Sequence, residues 1–133
     1  MNHNLLTEWN HKWFGIWKET RPEYSKYPSI KEFITGSKLV PEELEKVVNY
    51  LDNGVVVATT SRRAFPCVIT GRRFGGSLSE RTDGLWWWND DLSYYIREFG
   101  VSLPQSFLDN IRKNNYIIPE VSQSQIASLE QPA

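Results

Sequence analysis

Residues 82–100, TDGLWWWNDDLSYYIREFG, set three tryptophans in a row directly before a helical pattern, and the fold turns on how that row is read. If residues 85–88 form a strand, side chains alternate, so Trp86 and Trp88 share one face and Trp87 points to the other. The pair then packs against a helical layer, because burial of large aromatic rings is the greater source of stability. Trp87 is left either against a second layer or in the open. Asn89, Asp90 or Asp91 can cap the helix that follows, which carries Leu92, Tyr95, Ile96 and Phe99 on one face and ends at Gly100.

Working outward, Val55, Val56 and Val57 with Ala58, Thr59 and Thr60 make a β-branched run too short for a lone helix, and the run reads as a strand. A further strand is expected near residues 65–70, before a turn within residues 71–76, GRRFGG. Together these predict a small antiparallel sheet of about three strands. Helices flank it. Leu6, Trp9, Trp13, Ile16 and Trp17 recur at helical spacing, with Leu5 and Phe14 widening the stripe and Pro22 bounding it. Ser29 and Glu32 have the capping-box spacing, which turns Ile30, Phe33 and Ile34 inward and makes Gly36 a left-handed exit. Pro41 opens a third helix whose Leu44, Val47, Val48 and Leu51 form an apolar stripe, with Glu42, Glu43 and Glu45 near the positive end of its dipole and Asn53 and Gly54 closing it. A last helix follows Pro104, with Phe107, Leu108 and Ile111 facing in.

The expected class is α+β: a small antiparallel sheet packed, as two layers, with helices from both the N-terminal and C-terminal segments. Residues 1–118 are expected to form a single globular domain. Residues 119–133, rich in Ser and Gln and without aromatics, are expected to be a disordered tail.

Composition narrows the function. Of the 133 residues, 40% are hydrophobic and 14% aromatic, so aromatic rather than aliphatic side chains should carry the core. Cys67 is the single cysteine, which excludes an internal disulfide framework. No secretory signal pattern and no apolar run of roughly 20 residues is present, which predicts a cytoplasmic protein without a membrane span. The net charge of −1 hides a division: residues 54–82 hold Arg62, Arg63, Arg72, Arg73 and Arg81 against Glu80 alone, a local +4 that leaves −5 for the rest. Such asymmetry suits an acidic partner surface or an anionic ligand, or else arginines on the solvent side of a hairpin.

Catalytic chemistry is sparse. His3 and His11 lack a positioned partner at a persuasive spacing, and Cys67 has no histidine to activate it, so it reads as a small buried hydrophobe. Asp90 and Asp91 look like paired carboxylates, yet a helix start explains them through its dipole and free amides. The glycine and arginine turn at residues 71–76 can grip an anion, but it lacks the lysine and hydroxyl of a phosphate-binding P-loop and reads equally as a plain hairpin turn. No cofactor signature is found, and no metal set.

From Cys67 to Phe107 the chain resembles a group of small bacterial proteins without an assigned activity that carry a CxxCG element, then TDG-x-aromatic-x-WP, LxHY, a further histidine and VxLPxxF. The matching residues are Thr82, Asp83, Gly84, Trp86, Trp88, Leu92, Tyr95, Val101, Leu103, Pro104 and Phe107. The group's two cysteines and two histidines have ligand chemistry suited to tetrahedral zinc. Here only Cys67 remains, with Thr70 at the second cysteine, Tyr94 at the first histidine and Phe99 at the second. Asn89 replaces the group's proline. The resemblance therefore implies a version in which aromatic packing stands in for a metal staple.

These readings predict a small cytosolic bacterial protein that binds a protein partner without catalysis, an immunity or antitoxin-like factor that neutralises a toxin by occlusion. Arg62, Arg63, Arg72 and Arg73 would steer an acidic partner face and Trp87 would anchor it. The alternative is a nucleic-acid-binding module in which the basic hairpin at residues 62–81 contacts phosphates and Trp87 stacks on a base, against which stands the net charge of −1. A third reading is an enzyme or small-ligand binder using the glycine and arginine turn.

Overall fold

The computed structural model describes residues 5–36, 39–60, 66–74 and 76–132. The tryptophan row lies in the middle of its sheet. Four strands, β1 (Trp13–Phe14), β2 (Val55–Thr59), β3 (Ser79–Thr82) and β4 (Trp87–Asn89), are arranged in the order β1-β4-β3-β2. β4 runs antiparallel to β3, with Trp87 opposite Thr82 and Trp88 opposite Arg81, and β3 runs antiparallel to β2. β1 joins parallel to β4, pairing Trp13 with Trp87 and Phe14 with Trp88. The class is α+β, and the sheet is mixed and four-stranded rather than antiparallel and three-stranded.

Among the described residues five α-helices accompany it: α1 (Leu5–Glu8), α2 (Pro41–Asp52), α3 (Leu92–Phe99), α4 (Gln105–Lys113) and α5 (Gln123–Ala127). α2 begins with Pro41 in its first turn, where a missing N–H costs nothing, and Glu42 and Glu43 complement the dipole. α3 ends as expected at Gly100, whose φ of 70° lies in the left-handed region that glycine tolerates. Asp91 is its N-cap, although the carboxylate makes no capping hydrogen bond.

The tryptophans divide as the alternation predicts. Trp86 and Trp88 enter the main core with Phe14, Trp17, Phe33, Tyr50, Leu92, Tyr95 and Phe107. Trp86 stacks on Phe107 with ring centroids 4.3 Å apart, and Trp88 stacks on Tyr50 while donating from Nε1 to the Leu51 carbonyl at 3.1 Å. A buried indole N–H needs such a partner, and the end of α2 supplies it.

Several expectations are corrected. The predicted first helix across Leu6 to Trp17 is one turn of helix, α1, followed by β1. Trp13 and Phe14 are both buried but in different clusters, a two-residue alternation that no single helix face can satisfy, and Gly15 at φ 102° interrupts helical geometry. The Ser29 and Glu32 capping box is present, but it caps a 3-10 turn, Ile30–Phe33, and Ile34 beyond it is exposed. No strand forms over residues 66–70, where the chain instead turns tightly, with Gly71 N–H donating to the Cys67 carbonyl at 2.9 Å. Besides β1, the strand absent from the sequence reading is β3, SERT, a polar inner strand whose buried Ser79 lies 3.0 Å from Thr59 through their hydroxyls.

The stretch expected as a disordered tail includes α5. α5 carries its own capping box, Ser122 with Gln125, and the following residues reach the sheet. One aliphatic side chain, Leu129, packs against the aromatic face that β1 and β4 leave open, and that contact supplies the burial which composition alone did not reveal.

An ionic clasp joins α2 to the end of α4. Arg112 donates from Nε and Nη2 to the two Glu43 oxygens at 2.7 and 3.0 Å, and the Tyr116 hydroxyl donates to Glu43 at 2.7 Å. These bonds hold the Glu43 carboxyl at about 2, below its ordinary value. A lowered pKa contributes stability that is present above the unfolded value and lost as pH falls through the folded one. Replacing Glu43 with Gln should therefore cost about 1 kcal/mol at pH 7, the half-exposed Arg112 limiting the effect through solvent screening. That difference between wild type and variant should shrink from the ordinary carboxylate range towards pH 2 in chemical denaturation.

Candidate partner-binding face

The segment that aims the tryptophans is built around a buried carboxylate. Asp83 Oδ1 accepts the Leu85 and Trp86 backbone N–H groups at 3.0 and 2.8 Å, and Oδ2 accepts the Tyr50 hydroxyl at 2.6 Å and Asn110 Nδ2 at 2.9 Å. Thr82 Oγ1 donates to the Trp86 carbonyl at 2.7 Å and accepts from Gly84 N–H at 2.9 Å. Thr82, Asp83 and Gly84 thus close the β3–β4 turn and tie it to α2 and α4. Burial, and then the Asp83 charge, push the Tyr50 phenol well above its usual range, so it stays a neutral donor.

Trp87 points away from this core. It forms a second buried cluster with Trp13 and Ile16, against which Trp9, Tyr24, Tyr27, Val57 and Leu129 pack. At 5% exposure it is covered by its neighbours, Leu129 among them, and does not stand open as a surface anchor or as a platform for a base. Its Nε1 donates to Glu80 Oε1 at 3.1 Å.

Two clefts flank this aromatic cluster. One, of about 340 Å³, is walled by Trp17, Tyr24, Tyr27, Trp87, Glu80 and Asp91 among others. The second, of about 510 Å³, is walled by Trp9, His11, Trp13, Lys26 and Tyr27. Trp17 is almost wholly buried, yet its Nε1 has no acceptor among the described residues, a cost of about 1–3 kcal/mol placed at the first cleft.

The C-terminal segment is the piece that sequence reasoning missed. Gln131 lines both clefts, and Leu129 packs against the aromatic cluster. Glu130 accepts the Lys12 backbone N–H at 3.0 Å and sits 2.8 Å from His11 Nδ1. Burial raises the Glu130 carboxyl, and these two hydrogen bonds outweigh it and hold the group below its ordinary value. At the other end of the segment Gln125 abuts Gly84, where a Cβ would lie 3.0 Å from its side-chain nitrogen. The Gln and Ser composition concealed a single informative pair, Leu129 and Glu130.

Of the predicted arginines, Arg62 and Arg63 lie outside the described residues. Arg72 and Arg73 are exposed on the turn after Cys67, and the same loop walls the first cleft through Pro66 and Val68. Arg81 belongs to the framework, donating from Nη1 to the Gly54 carbonyl at 2.8 Å.

Cys67 is buried within this loop. Burial raises its thiol, but hydrogen bonds from Thr70, the Tyr94 hydroxyl and the Ile69 backbone more than offset that and bring it to about 7. Tyr94 Oη lies 3.6 Å from the sulfur, and the Tyr94 and Phe99 rings meet at 5.8 Å. The positions Cys67, Thr70, Tyr94 and Phe99 are therefore linked in space, through a hydrogen bond and ring packing. Among the described residues no group of three or more His, Cys, Asp or Glu is placed to hold a metal ion.

Comparison of the chain with protein-family models, curated proteins and solved structures gave no match. Among the described residues no helix is long and apolar enough to cross a membrane.

Proposed function

We propose that this chain is a small cytosolic bacterial protein-binding factor that works without catalysis, of the immunity or antitoxin kind, neutralising a toxin by covering its working surface. The observation that supports this reading most is the adjacency of an exposed basic turn, Arg72 and Arg73, to an aromatic face with two clefts, joined by the loop through Pro66 and Val68. Arginine steers an acidic partner and aromatic surface supplies the desolvated contact. Trp87 lies beneath that face and donates to Glu80.

The test is affinity capture of the tagged chain from its host lysate, with and without nuclease, alongside the Arg72→Glu/Arg73→Glu variant. A single protein retained after nuclease, with association slowed about tenfold or more by the charge reversal, is the expected result. Retention of nucleic acid, with proteins lost on digestion, would replace this reading with phosphate binding, and steep salt dependence would accompany it.

A further inference from the structure

The segment at residues 121–132 covers the aromatic face while burying little of itself. None of its residues is fully buried, and α5 has no buried side chain, yet Trp13, Ile16 and Trp87 beneath are at least nine-tenths buried. The segment is held at three points: Gln125 on Gly84, Leu129 on the tryptophan cluster, and Glu130 on the Lys12 N–H and His11. It also borders both clefts through Gln131, with Tyr27 as a second wall they share. The clefts thus adjoin, with Gln131 of the C-terminal strap and Tyr27 as shared walls, and together make an aromatic groove.

We propose that this groove is the docking site for the protein partner, occupied at rest by the strap, and that its external ligand is an extended acidic segment in which an aliphatic residue precedes a carboxylate and replaces Leu129 and Glu130. The proposal rests on the protein-partner reading. The strap's contacts define the chemistry: an aliphatic group packs on the cluster of Trp13, Ile16 and Trp87, and a carboxylate accepts the Lys12 backbone N–H beside His11, with Lys26 also lining that cleft. Glu80 and Asp91 wall the other cleft, whereas at the Lys12 end Lys26 accompanies Glu32, whose carboxylate already accepts the Ser29 N–H, so a carboxylate is accepted better there. Exposed Arg72 and Arg73 draw the same acidic partner towards the groove.

The probe is a labelled peptide with the sequence of residues 121–132, VSQSQIASLEQP, titrated into full-length wild type and into the Leu129→Ala/Glu130→Gln variant. In wild type the tethered strap competes at an effective concentration on the order of millimolar, so the loosened variant should bind the peptide about tenfold tighter or more. A peptide carrying the same two substitutions should bind neither protein. If the double variant loses its near-ultraviolet circular dichroism, Glu130→Gln alone serves, with a smaller gain. Equal binding to wild type and a folded loosened variant, or none to the latter, would overturn the proposal, as would equal binding of the substituted peptide. The captured partner separates the two readings. Release of the partner by saturating peptide supports both. Retention of the partner with peptide bound leaves the function standing and removes the groove as its dock, whereas peptide binding with no partner retained leaves the groove and removes the function.

Discussion

Replacing Asp83 with Ala is expected to lower the stability of the chain by about 3–5 kcal/mol, with a large fall in the denaturant midpoint. The carboxylate is 3% exposed and takes donors from two backbone groups, a tyrosine and an asparagine, which belong to the turn, α2 and α4. Alanine leaves these donors without their acceptor, the Trp86 amide and the Tyr50 hydroxyl in buried positions and the Leu85 and Asn110 groups in partly buried ones, and the loss of an acceptor for a buried donor costs about 1–3 kcal/mol. Asp83→Asn separates charge from shape. Its oxygen still serves the Leu85 and Trp86 amides, but its NH₂ meets the Asn110 NH₂, so a smaller loss is expected. A loss below 1 kcal/mol for the alanine variant, by urea titration, would mean that the turn is held by the hairpin alone.

The second large effect lies where β4 passes the end of α2. A Cβ on Gly54 would lie 2.5 Å from Trp88 Cζ2 and 3.0 Å from Arg81 Cβ, closer than packed atoms approach. Trp88 cannot withdraw, because its ring lies between Tyr50 and Phe107 and its Nε1 is bonded to Leu51. Trp88→Ala should cost about 3–5 kcal/mol, and Gly54→Ala about 1–3 kcal/mol through overpacking. The two sites couple. In a Trp88→Phe background the outer part of the indole is gone, so Gly54→Ala should cost clearly less than it does in wild type. Simple additivity in the double-mutant cycle would contradict the close approach of Gly54 to that ring.

The elements legible in the sequence are those whose pattern is local. α2, α3 and α4 have apolar stripes with proline or glycine punctuation, and the alternation of the tryptophan row was readable because a strand's period is two. β1 was not legible, since Leu6, Trp9, Trp13 and Trp17 also satisfy a helical period and its pairing with β4 spans more than 70 residues. β3 carries no apolar residue at all. Its inner position depends on neighbours, not on its own composition. The candidate site was legible only in its exposed part, Arg72 and Arg73. The aromatic face depends on the long-range approach of Leu129 and Glu130, which nothing in a Ser and Gln-rich stretch announces.

Asp83 also shows how a motif read as a resemblance acquires a physical reason. Threonine bridges the ends of the turn, aspartate satisfies the amides that follow, and Gly84 at φ 96° leaves room for Gln125. These residues build the fold that presents the face.

Hydrogen–deuterium exchange on the full chain, with and without the partner retained after nuclease, reads where the partner docks and whether the strap leaves. Added protection is expected over residues 9–16 and 66–74, with lost protection in α5 as the strap leaves. Protection confined to the outer faces of α2 and α4, with α5 unchanged, would contradict it.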